Sequence, residues 1–222
     1  MLVKNFKNKR GLALSTQEIL QAWNEDIPHN IISKQKKRSS RRDFFFQSTA
    51  LAGSLALSQT VLAKSKINES SLKQPWLTIS EVQNHLFPRV GNLVEKDSSP
   101  GAKDINAIGY LQLILNTHDA DQDEREFVIK GTTWLDGMAN NMIGKPFIKL
   151  NKEERERVLR KISESESGES WLSTLLRYIF EALLTDPVYG GNSHQIGWQW
   201  LEHQPGFPRP PANKKYWLLR NG

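Results

Sequence analysis

The chain has 222 residues, no cysteine, 24% charged residues and a formal net charge of +6. The lack of cysteine excludes disulfides, iron–sulfur clusters, thiolate zinc sites and covalent haem attachment. The charge is one-sided: residues 1–63 carry ten Lys+Arg against four Asp+Glu, and residues 64–222 carry twenty of each. No basic stripe remains in the larger part, so the high pI is not a footprint for nucleic acid.

Residues 1–63 read as a twin-arginine signal peptide with a long basic n-region. Ser40-Arg41-Arg42-Asp43-Phe44-Phe45-Phe46 places paired arginines ahead of a modestly apolar run, Ser48 to Leu62. Val61-Leu62-Ala63 offers the small side chains a signal peptidase reads, which puts cleavage between Ala63 and Lys64. The run is 15 residues long, too short to cross a bilayer comfortably, which takes roughly 20. Two other readings stand beside this one: a short buried helix that happens to follow two arginines, and an uncleaved signal that anchors the protein. The polar stretch 64–75 reads as a flexible tether.

The remaining residues, 76–222, read as one mainly α domain: an irregular bundle of about five helices with long ordered loops and a Pro/Trp-rich C-terminal tail over 205–222. Thr78-Ile79-Ser80-Glu81 has the form of a capping box that opens the first helix, and Pro88 stops it. Ser98-Ser99-Pro100-Gly101 marks a loop. Ile105, Ile108, Leu111, Ile114 and Leu115 recur at helical spacing over 102–116. A third helix is predicted over 121–141, where Asp121, Asp123 and Glu124 suit its positive N-terminal end.

Gly144-Lys145-Pro146-Phe147 reads as a turn, and Asn151 with Glu154 caps a short charged helix over 153–162. The strongest pattern is 171–184, with apolar pairs at 171/172, 175/176, 179/180 and 183/184. So broad a stripe requires partners on both of its sides, and this helix is expected to be the central element. No period-2 strand, repeat or hairpin signal appears.

Candidate chemistry is sparse. Asp186, Asn192 and His194 lie beside Gly190-Gly191, but the spacing is not that of metal ligands. The glycines follow a helix rather than a strand, which is the wrong context for a phosphate loop. His118-Asp119-Ala120-Asp121 lacks the glycine and terminal glutamate of a calcium loop. Tryptophan is the compositional oddity. Trp134 and Trp171 read as core, whereas Trp198, Trp200, Phe207, Tyr216 and Trp217 sit in or beside proline-rich sequence and read as interface anchors. A small domain without cofactor motifs has little need of folded-state export. It gains one if it carries a folded, cofactor-loaded partner through the twin-arginine translocase.

Several pieces in order resemble the gluconate 2-dehydrogenase subunit 3 family. They are Leu86-Phe87-Pro88, Pro100-Gly101-Ala102, Gly144-Lys145-Pro146-Phe147 with Leu150, and Asp186-Pro187-Val188-Tyr189-Gly190-Gly191-Asn192 with Gly197-Trp198. The resemblance covers roughly 76–206. It implies a noncatalytic accessory subunit with no cofactor of its own, periplasmic and peripheral on the inner membrane through its complex. FAD would lie on a large oxidoreductase partner subunit, with a cytochrome c subunit as a further partner. An independent periplasmic enzyme using Asp186, Tyr189 and His194, and a binding protein with no redox role, remain the alternatives.

Overall fold

Local sequence explains most of the helices seen in a computed structural model, which describes residues 14–27, 31, 72–93, 97–117, 120–211 and 213–215. The predicted export signal at Ser40, Arg41, Arg42 and Phe44, the predicted cleavage junction Ala63–Lys64, His118, Asp119, Tyr216 and Trp217 lie outside the described residues. Among the described residues there are seven α-helices and no strand beyond one isolated bridge, Val90 with Ser99. The helices are α1 (Thr16–Asp26), α2 (Trp76–Leu86), α3 (Ala107–Leu115), α4 (Gln122–Ile143), α5 (Lys152–Ile162), α6 (Glu166–Leu184) and α7 (Ile196–Trp200). Mainly α is therefore the fold class. None of the described helices is long and apolar enough to cross a membrane.

Contacts divide the chain into two compact units, 1–49 with 122–175, and 50–121 with 176–222. Helix α6 supplies its N-terminal part to the first unit and its C-terminal part to the second.

In the first unit, α4 packs on α1 and α5. Its inward face carries Phe127, Val128, Trp134, Leu135 and Met138, all buried. Gly131 leaves room for the Trp171 indole, which a Cβ there would overlap. The Trp171 Nε1–H donates to the Val128 carbonyl at 3.0 Å, so the ring is fully buried without an orphaned donor. Asn151 and Glu154 form the capping box predicted for α5, at 2.8 and 2.9 Å. The Gly144–Phe147 turn is tied down by Asp136, whose Oδ1 accepts from the Phe147 N–H at 2.9 Å. Burial pushes the Asp136 carboxyl above the usual carboxylate range, and this hydrogen bond offsets part of that rise.

Helix α1 differs from the sequence reading, which placed no folded element ahead of the paired arginines. Ser15 and Glu18 close a capping box, and Ile19, Leu20, Trp23 and Ile27 are buried in the first unit. The Trp23 ring stacks on Trp134, with centroids 6.2 Å apart and planes 7° apart, and meets Trp171 edge-on.

In the second unit, α2 packs on α3. The Thr78–Glu81 pattern does not open α2. The helix begins at Trp76 behind Pro75, and the buried Thr78 donates to the Gln74 side chain at 2.8 Å. Helix α3 starts at Ala107, five residues later than the periodicity suggests. Asn106 adopts the left-handed conformation at φ 56° and breaks the run there.

Candidate docking surface

Three of the sequence pieces singled out above converge in the second unit through hydrogen bonds. The Ala102 N–H donates to the Phe87 carbonyl at 2.8 Å, which joins the segment after α2 to the segment before α3. Arg89 pairs with Asp104, and Asp104 also accepts from the Gly101 N–H at 2.8 Å. The Asn106 side chain then donates to the Gly190 carbonyl at 2.7 Å, 84 residues away.

The 186–198 segment is a closed knot. Asp186 accepts from the Val188 N–H at 3.0 Å and opens the 3₁₀ turn Pro187–Tyr189. Gly190 ends that turn at φ 89°, a conformation side chains resist. Gly191 lies against the backbone of Ala182. Asn192 is fully buried; its amide donates to the Thr185 carbonyl at 3.0 Å and its Oδ1 accepts from the Gly197 N–H at 2.8 Å. Gly197 allows α7 to sit against the end of α6, because a Cβ there would run into the Leu183 carbonyl. The Trp198 Nε1–H donates to the Leu184 carbonyl at 2.8 Å.

These groups are occupied by one another. Both Asp186 oxygens take the Arg209 guanidinium, at 2.8 and 3.1 Å, and that pairing raises the Arg209 pKa further against the opposing effect of burial. Arg209 also lies over the Trp198 ring, 5.4 Å from its centroid. The Gly190 N–H is bonded to the Pro187 carbonyl, so it is not free to donate to a phosphate, and the Gly190 carbonyl accepts from Asn106. His194 is exposed, and the described residues contain no group of three His, Cys, Asp or Glu that could hold a metal. The arrangement fixes the course of the chain between α6 and α7.

Trp198 is only 5% exposed and packs within the unit, so it is a core residue and cannot be an anchor reaching a partner. Trp200 differs. It is 41% exposed, and its ring lies edge-on to Phe87, 6.4 Å between centroids. Phe87 in turn meets Phe180 edge-on at 6.4 Å, and Phe180 is 45% exposed. Leu184, one helical turn beyond Phe180, is 46% exposed, and Phe207 is 75% exposed. The broad stripe of α6 explains this. One side, Ile179, Ala182 and Leu183, is buried, and the other side, Phe180 and Leu184, is left uncovered. Sequence reasoning found the stripe and Trp200 but missed Phe87 and Phe180 as parts of one cluster. Their pairing spans more than ninety residues and leaves no local signal.

The gluconate 2-dehydrogenase subunit 3 model matches residues 73–206. No curated protein and no solved structure matches the chain. The matched span contains the knot and the Phe87–Phe180–Trp200 cluster, excludes α1, and covers more than half of the sequence; the chain belongs to the gluconate 2-dehydrogenase subunit 3 family.

Proposed function

We propose that this chain is the noncatalytic small subunit of a periplasmic flavin-dependent dehydrogenase acting on a sugar or sugar acid. In this reading it docks a large FAD-binding subunit in the cytoplasm, supplies the twin-arginine signal for both, and aids the partner's maturation. A cytochrome c subunit takes the electrons onward. Family membership supports a place in a gluconate 2-dehydrogenase-like complex. The observation that carries the docking role is the half-open aromatic cluster of Phe87, Phe180 and Trp200, beside a knot whose polar groups are spent on structure. Exposed aromatics held on a rigid frame bury large area at small entropic cost, which is what an interface anchor requires.

Co-expression with the FAD-binding subunit tests the reading. The expected result is a yellow complex recovered from the periplasm. Changing Arg41 and Arg42 to Lys should retain both chains, flavin included, in the cytoplasm. Arrival of the flavoprotein in the periplasm beside the double variant would refute the carrier role.

A further inference from the structure

Helix α1 lies upstream of the paired arginines and outside the span matched by the family. Its sequence nonetheless meets demands made by residues more than a hundred positions away. Trp134 is buried, and its indole N–H donates to the Asp26 carboxylate at 3.0 Å. The first turn of α6 leaves backbone donors without intrahelical partners. Ser165 takes the Gly168 N–H at 3.0 Å, and the Asn24 side chain of α1 takes the Ser167 N–H at 3.0 Å. The Asn141 side chain donates to the Leu14 carbonyl. Trp23, 1% exposed, fills the angle between the Trp134 and Trp171 rings. The hollow left along this seam is about 20 Å³, room for roughly one water.

Removing α1 would therefore trade two hydrogen bonds for contacts with water and would uncover the apolar rings of two tryptophans. An isolated eleven-residue helix is marginal in water, so α1 owes its form to this seat.

We propose that the first unit carries a helix-accepting groove, formed by α4 and the start of α6, and that α1 is its resident ligand. The segment stays bound when the chain is cut between it and α2. The stretch ahead of the arginine pair is thus a working part of the folded subunit. The inference rests on the first unit alone and is independent of the docking role assigned to the second.

The test uses the full chain with a protease site placed between Lys64 and Ser71. After complete cutting, gel filtration at micromolar concentration with mass spectrometry of the peak should show the N-terminal piece co-eluting with the rest, and near-UV circular dichroism should be unchanged. The same cut in a Trp23→Ala or Asn24→Ala background should release the piece, with Trp23→Ala having the greater effect. Gln21→Ala, on the exposed side of α1, should retain it. Release of the N-terminal piece from the cut wild-type protein overturns the proposal, whether or not the remainder stays soluble. Equal retention by the Trp23 variant overturns the groove as the reason.

Discussion

Two aromatic clusters in this molecule have opposite fates. Trp23, Trp134 and Trp171 in the first unit are closed: each is at most 5% exposed, and the Trp134 and Trp171 N–H groups are paired. Phe87, Phe180 and Trp200 in the second unit touch edge to face, yet Phe180 and Trp200 keep more than two-fifths of their surface open. Tryptophan abundance alone does not separate a core from an interface. The distinction lies in whether a further element covers the cluster. In the first unit α1 does so; in the second no described residue covers it fully.

The comparison can be broken most forcefully in the closed cluster. Trp171→Ala removes a fully buried ring from the junction of α1, α4 and α6, and should destabilise the protein by about 3–5 kcal/mol. Urea unfolding followed by far-UV circular dichroism measures this, and a loss under about 1 kcal/mol would mean that the cluster is not a core. Asn192→Ala should cost roughly 1–3 kcal/mol, because it orphans the buried Gly197 N–H that holds α7. That loss should appear in the same unfolding curves.

A smaller effect is expected at Asp136. Its folded pKa is raised, so the folded state holds a proton that the unfolded chain has already released. Stability from this group is fully present below the ordinary carboxylate value and is lost as pH rises through the raised one. Asp136→Asn keeps an acceptor for Phe147 and should flatten the stability curve just above that ordinary value. An unchanged slope there would show that Asp136 is not the group responsible.

Much of the helical framework was legible in the sequence, and the reasons are local. The Asn151/Glu154 box and the 171–184 stripe are short-range patterns; the box closes as read, and the stripe is helical but its helix starts five residues earlier, at Glu166, with Phe180 and Leu184 left half exposed rather than covered. Thr78-x-x-Glu81 misled because the same spacing also occurs within the first turn of a helix already begun at Trp76, where Thr78 bonds back to Gln74. Helix α1 had its own legible signal, Ser15-x-x-Glu18 ahead of Ile19, Leu20 and Trp23. The basic charge of the surrounding stretch suggested a leader and drew attention from it. The burial of Trp198 and the exposure of Trp200, two residues apart, were not legible. They depend on which carbonyl of α6 the Trp198 indole reaches. Asn106 reads as part of the 102–116 helix and Asn192 as part of a glycine-rich turn, while their bonds to Gly190, Thr185 and Gly197 are set by the tertiary fold.

The central claim is that the open cluster is the docking face, and affinity measures it most directly. Binding of the purified chain to the proposed large FAD-binding subunit should weaken by about 2 kcal/mol, roughly thirtyfold in Kd, for Phe180→Ala and for Trp200→Ala. Each variant should fold with less than about 1 kcal/mol of lost stability, since its ring is already half in water. Unchanged affinity in both variants, with the complex otherwise intact, would contradict the account.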